Sequence, residues 1–189
     1  HSYQGDADGY NYASSTDLPS PALFAGSNSH SWAPSFSDPQ AGGVFFHEVN
    51  FAGNNFAFAG QSFTLEGYFK TSNSVNRQDV IFNAQNHFSY LVNVNEGGPG
   101  VLRFATGGSP YPQVNLGGGA GHNYANGEWH YFVARYEERG AGQQDVLTLT
   151  TYDQNGALIE SGTALAPAGF NILATTNNLA LGGAFFQHP

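Results

Sequence analysis

The fold is decided by a hairpin-like stretch in the C-terminal third of the chain. It begins VLTLTTY at residues 146–152, continues through the turn DQNG at 153–156 and ends ALI at 157–159. Residues on both sides of the turn alternate as they do in strands, and Asn155-Gly156 is a strong signal for a two-residue hairpin turn. The stretch therefore predicts two antiparallel strands joined by a tight turn.

Three further runs have the same alternation, namely SFTLEGYFK at 62–70, GEWHYFVARY at 127–136 and NLALGG at 178–183. Successive side chains of a strand point to opposite faces, so Trp129 and Tyr131 share one face of their strand while His130 and Phe132 share the other. Aromatic residues on both faces indicate a strand in the middle of a sheet, with a covered or ligand-facing outer side.

Shorter apolar runs complete the pattern, at residues 44–51, 55–58, 80–82, 88–94 and 101–105. Turn clusters rich in Gly and Asn separate several of them, and no segment shows a helical period. Many short strands with such turns predict an all-β fold, an antiparallel β-sandwich jelly roll.

The order of these runs resembles the laminin-G-like and concanavalin A-like jelly-roll superfamily of lectins and glucanases. Members often read FTVEAWVK, then WHHVALTYD, then a DG hairpin and LGG, and the resemblance covers about two thirds of the chain. It implies the sandwich fold but leaves function open, because this fold hosts lectins, adhesion modules, glucanases and structural subunits.

The sequence departs from this family after LGG. The resemblance implies a closing strand similar to FDGLIDEVRIY, whereas this sequence runs from Phe185 to Pro189 without it. We therefore expect an open sheet edge, and open edges recruit another strand.

Residues 1–43 form a segment rich in Ser, Asp, Pro, Gly and Asn, which we interpret as an extended N-terminal arm preceding a jelly roll at 44–189. The arm is a candidate donor strand that fills the open edge of its own domain or of the next subunit. Its apolar residues are candidates for the assembly contacts: Leu18, Leu23, Phe24, Trp32 and Phe36.

Composition limits the partners. The chain has 189 residues, a net charge of −9, five basic residues and no cysteine, and only 10% of its residues are charged. Without a basic patch, nucleic acid is not an expected partner, and no apolar run is long enough to predict membrane insertion. The sequence begins at His1 and contains no Met. We interpret this as a secreted protein released by signal-peptide cleavage, extracellular or at the cell surface.

No catalytic motif is recognised, so we expect a non-enzymatic protein. Glycosidases of this fold carry paired carboxylates on one strand, and the sequence has no such strand. It also has neither a Gly-x-Ser-x-Gly elbow nor a His-Glu-x-x-His motif.

Two kinds of binding site are candidates. Asp6 and Asp8, between glycines, resemble part of a calcium loop and make Ca²⁺ the single cofactor considered. For a carbohydrate, outward positions on strands favour Tyr68, Tyr90, Asn93, Arg103 and His130. The same side chains could instead pack against the arm or another subunit.

Two functions follow from these expectations. The first is a secreted structural protein that self-assembles into an extracellular filament, tube or matrix by exchanging N-terminal strands with copies of itself. The alternative is a lectin-like carbohydrate-binding or cell-adhesion module that acts on extracellular polysaccharide.

Overall fold

The computed structural model describes residues 11–12, 34–35, 49–51, 58–72, 79–84, 89–107, 111–172 and 179–181. Within these ranges every regular element is a strand, and none is a helix long and apolar enough to cross a membrane.

Twelve strands follow one another along the described chain. The first six are β1 (Asn11–Tyr12), β2 (Pro34–Ser35), β3 (Val49–Phe51), β4 (Phe63–Phe69), β5 (Asp79–Ala84) and β6 (Tyr90–Val94). The last six are β7 (Val101–Thr106), β8 (Gln113–Gly117), β9 (His130–Glu137), β10 (Val146–Asp153), β11 (Leu158–Leu165) and β12 (Leu179–Leu181).

Two large sheets form a sandwich. One has four strands in the order β11-β10-β9-β4, and the other has six in the order β3-β12-β5-β6-β7-β8. All neighbouring strands run antiparallel. The predicted antiparallel β-sandwich is therefore confirmed.

The predicted hairpin is β10–β11, but the two-residue turn predicted at Asn155-Gly156 is wrong. Asp153 and Ala157 form the closing pair, so residues 154–156 make a three-residue loop in which Gly156 has a positive φ and Asn155 does not. Asp153 closes its turn, because its backbone N–H donates to the carbonyl of Ala157 and its side-chain Oδ1 accepts from the backbone N–H groups of Asn155 and Ala157. These backbone donors, Ala157 first, hold the pKa of Asp153 below its ordinary value. Gly156 has a φ of 84°, which favours glycine in a tight turn.

An aromatic cluster holds the two sheets together. Phe63 of β4 stacks on Phe58, with ring centroids 4.8 Å apart, and on Tyr136 of β9 at 5.6 Å. Tyr90 of the opposite sheet lies 4.9 Å from Phe63, and Phe104 meets it edge to face at 6.4 Å. Such ring pairs contribute more than the apolar area that they bury.

Among the described strands, β3 and β8 form the edges of the six-stranded sheet, and β11 and β4 form the edges of the four-stranded sheet. On the four-stranded sheet, none of the described strands pairs with the outer edge of β4. Of the arm, residues 11–12 and 34–35 pair with each other as β1 and β2. The predicted assembly residues Leu18, Leu23, Phe24, Trp32 and Phe36 lie outside the described residues, so strand exchange stays a prediction.

At β11, the edge of the four-stranded sheet opposite β4, the two sheets approach each other closely at a glycine. A Cβ added to Gly162 of β11 would come within 3.0 Å of Leu116 Cδ2 and 3.1 Å of Val114 Cγ1 on β8. The absence of a side chain at Gly162 therefore lets the two sheets meet at this point.

We expect Gly162→Val to lower the free energy of unfolding by about 1–3 kcal/mol, because overpacking must push β11 away from β8. Urea denaturation at pH 7 measures the effect. The control is Thr163→Val on the exposed face of the same strand, where a change within about 0.5 kcal/mol is expected. Equal effects of the two substitutions would contradict this account of the edge.

Candidate ligand-binding face

Three tyrosines form a row across the outer face of the four-stranded sheet. Tyr68 of β4 lies directly opposite Tyr131 of β9, and Tyr131 lies opposite Tyr152 of β10. The ring centroids of Tyr68 and Tyr131 are 4.9 Å apart, and those of Tyr131 and Tyr152 are 6.1 Å apart. We call this set the tyrosine row.

The row is a consequence of the strand registers. In β4 and β9 the inner positions carry core residues such as Phe69 and Phe132, so the intervening Tyr68 and Tyr131 must point outward. The central ring, Tyr131, keeps only 7% of its surface exposed, whereas Tyr68 and Tyr152 are half-buried. The two outer rings therefore remain accessible on either side of a packed centre.

Polar groups surround the tyrosine row. The hydroxyl of Tyr131 donates to the exposed carboxylate of Glu66 on the neighbouring strand. On the other side, the hydroxyls of Thr150 and Ser161 are hydrogen-bonded at 2.9 Å. At the start of β9, the ammonium of Lys70 lies 5.8 Å from the centre of the Trp129 ring.

The tyrosines stay protonated. Burial, followed by the hydrogen bond and the charge of Glu66, raises the pKa of Tyr131, and burial raises the pKa of Tyr68. Both hydroxyls are therefore neutral at physiological pH, and that of Tyr131 already donates to Glu66. Flat aromatic surfaces beside the oxygens of Glu66, Thr150 and Ser161 suit a ligand with an apolar face and hydroxyl groups.

The opposite outer face, that of the six-stranded sheet, is built differently. Asn93 of β6 lies opposite Arg103 of β7, and both side chains bind the carboxylate of Glu96. Burial lowers the pKa of Arg103, and the charge and hydrogen bond of Glu96 partly offset this. Asn93 is fully buried, so this pair lies in a covered part of the face.

A second polar cluster lies inside one end of the sandwich. Nε2 of His130 and Nε2 of His122 are 2.8 Å apart, a hydrogen bond whose donor depends on the tautomers. Beside them, the hydroxyl of Tyr124 lies 2.6 Å from Thr151 Oγ1 and donates to Glu160 Oε2 at 3.2 Å. His130 is 1% exposed and stacks on Phe69 with a centroid distance of 5.3 Å.

Of the five carbohydrate candidates, the structure brings Asn93 and Arg103 together and places Tyr68 on the accessible face. The outward orientation expected for Tyr90 and His130 is wrong, because both side chains lie in the core. Tyr90 and Asn93 are three residues apart in one regular strand, so they point to opposite faces. For His130, the alternation was right but the inner and outer faces were exchanged.

The sequence candidates omitted Tyr131, Tyr152 and Glu66. The alternation along residues 129–136 places Tyr131 on the face opposite His130, so choosing His130 as outward-facing excluded Tyr131. The position of Tyr152 opposite Tyr131 depends on the register of β9 with β10, and the intervening loop carries no two-residue turn signal to fix it.

The metal expectation has no test in the described residues. Asp6 and Asp8 lie outside them, and across the described ranges no three His, Asp or Glu side chains come together as a metal-binding group.

Comparison with protein-family models finds no match, and neither does comparison with curated proteins. The resemblance to laminin-G-like and concanavalin A-like proteins therefore stays a prediction.

The buried His130 makes stability sensitive to acid. Burial and the neighbouring His122 lower the pKa of His130 to about 4 from an ordinary value of 6.5. Between these pH values the unfolded chain binds a proton that the folded protein does not, so the free energy of unfolding falls as the pH drops. The loss at this one site is about 2–4 kcal/mol and is complete near pH 4.

We expect His130→Gln to reduce the pH dependence of the free energy of unfolding between pH 6.5 and 4. The slope should fall by an amount that corresponds to close to one bound proton. Urea denaturation of wild type and variant across pH 4–8 measures it, and the two pH slopes should agree above pH 7. Identical slopes over the acidic range would rule out His130 as the responsible group.

Proposed function

We propose that this protein is a secreted, non-enzymatic, lectin-like module that binds a neutral extracellular polysaccharide on the tyrosine row. The observation that carries the proposal is the alignment of Tyr68, Tyr131 and Tyr152 in one register across three strands. Pyranose rings have an apolar face that packs on such rings, while their hydroxyl groups need partners of the kind that Glu66 and Ser161 supply.

Charge favours a neutral ligand. The chain has a net charge of −9, and Glu66 is the acidic group beside the row. A sulfated or uronate-rich polymer would meet repulsion from this carboxylate and from the protein as a whole.

The same face favours binding over cleavage. Glycosidases place two carboxyl groups on either side of the bond that they break. Two cross-strand rows of described residues form this part of the face: Tyr68, Tyr131 and Tyr152 in one, and Glu66, Val133, Thr150 and Ser161 in the other. Glu66 is the single carboxylate in these two rows, and it already accepts a hydrogen bond from Tyr131.

We expect Tyr68→Ala and Tyr152→Ala each to weaken polysaccharide binding about tenfold, because each removes one accessible stacking surface. Affinity electrophoresis in native gels measures this, with xyloglucan, mixed-linkage β-glucan or galactomannan as neutral polymers and dextran sulfate as the sulfated one.

Tyr111→Ala is the matched control, since Tyr111 is 46% exposed and lies outside the row. It should bind like wild type, and circular dichroism should show all variants folded. Unchanged migration of both row variants in a gel that retards wild type would contradict the site. No retardation of wild type by any neutral polymer would contradict the function.

A second candidate is the structural subunit that assembles into a filament, tube or matrix. One observation favours it: across the described strands, nothing pairs with the outer edge of β4, and such an edge can accept a strand.

Electron microscopy of the undenatured protein tests this second candidate. Strand exchange through the arm is head to tail, so we expect regular filaments or tubes. Dispersed particles at every protein concentration would contradict it and leave the carbohydrate-binding proposal unaffected.

A further inference from the structure

β11 forms one edge of the four-stranded sheet, and two exposed leucines lie at its ends. Among the described strands, β10 is the single partner of β11. Leu158 keeps 63% of its surface exposed and Leu165 keeps 57%, more than any other large apolar side chain in the described ranges. An edge strand that presents such side chains is suited to pair with a strand of another chain.

A β-bulge places both leucines on the same side of the sheet. Residues 158 and 165 are seven positions apart, so a regular strand would turn their side chains to opposite faces. The register of β11 against β10 shifts between Thr151 and Tyr152, where Ile159 is the extra residue. Because of this extra residue, Leu158 and Leu165 both lie on the outer face.

The two leucines are equally far from Gly162. On β10 they lie opposite Tyr152 and Val146, and Gly162 lies opposite Leu149. Leu149 is three residues from each of the other two positions. A two-fold axis through Gly162 would therefore bring each leucine of one copy opposite the other leucine of a second copy.

We propose that two copies of this protein pair edge to edge through β11, antiparallel and related by a two-fold axis at Gly162. Leu158 of each copy then packs against Leu165 of the other, and the symmetry makes this apolar contact twice. The pairing joins two four-stranded sheets into one of eight strands. The inference goes beyond carbohydrate binding, because it names a second copy of the chain as the occupant of the edge.

The charge distribution of β11 permits this pairing. Its one ionisable residue is Glu160, whose carboxylate accepts from the backbone N–H of His122 and from the hydroxyl of Tyr124. In the proposed register, Glu160 lies opposite Ala164 of the second copy, so no like charges meet. Exposed Lys and Pro residues protect many edge strands from pairing, and β11 has neither.

The proposed contact is small. The pairing segment is eight residues long, and interfaces of such limited area are weak. The dimer is therefore expected to dissociate on dilution.

Sedimentation velocity of the full chain, over a concentration series without polysaccharide, tests the pairing. Wild type should shift from 20.1 kDa to twice that mass and grow no further, because a two-fold contact is closed. Leu158→Lys and Leu165→Glu should each weaken the dimer about tenfold or more, because each disrupts both apolar contacts. Both side chains are exposed, so the variants should fold like wild type, which circular dichroism checks.

Mixtures of variants test the register. In an equimolar mixture of Leu158→Lys and Leu165→Glu, the mixed dimer has one pair of opposite charges and one intact pair of leucines. It should therefore form more tightly than either variant alone. The matched control is a mixture of Leu158→Lys with Leu158→Glu, in which the opposite charges face leucines and not each other, so no recovery is expected.

A second control is Gln144→Lys, which changes the net charge as Leu158→Lys does, at an exposed residue in the loop between β9 and β10. It should dimerise like wild type. A wild type that stays monomeric at all concentrations would overturn the proposal, and so would growth beyond the dimer.

The controls can overturn the proposal too. Equal recovery in both mixtures, no recovery in either, or loss of pairing in Gln144→Lys would each show that the Gly162-centred register does not decide association. The readout needs no polysaccharide, so failure here is distinct from failure of the carbohydrate-binding proposal.

Discussion

The structure depends on the packing of β9, which carries large side chains on both faces. Its inner face places Phe132 and Tyr136 in the core without appreciable exposure, and Phe63 of β4 stacks on Tyr136. Because this packing fixes which residues of β9 point inward, it also fixes that Tyr131 points outward between Tyr68 and Tyr152. The candidate site therefore lies on the outer side of the strands whose inner side forms the core, and a change of strand register would displace both together.

Asp145, the one buried carboxylate among the described residues, is paired locally. The hydroxyl of Tyr136 donates to the buried carboxylate of Asp145, which also accepts the backbone N–H of Arg139 at 2.8 Å. This one acid secures both the core tyrosine and the loop after β9. The surroundings of His130, unlike those of Asp145, compensate a charge poorly. His130 lies among aromatic rings and beside the imidazole of His122, so its charged form is strongly disfavoured.

Local chemistry made part of this fold predictable. The β10–β11 hairpin and the alternation of β4, β9 and β10 are encoded in neighbouring residues, so these elements are predictable from the sequence, although the hairpin loop has three residues and not the predicted two. Alternation gives two faces but not which of them is buried, so His130 was assigned to the wrong side. The tyrosine row depends in addition on a non-local register between β9 and β10, which no short motif specifies. The fold was therefore more accessible to prediction than the site.

The two outer faces of the sandwich differ in the room that they offer a ligand. On the six-stranded sheet, Leu91 and Asn93 are buried although they lie on the outer side of β6. On the four-stranded sheet, Thr64 and Glu66 of β4 and Ser161 and Thr163 of β11 stay exposed on the outer side, while Tyr68 and Tyr152 are half-buried. This outer face is therefore the one that keeps both aromatic rings and polar groups within reach of a ligand.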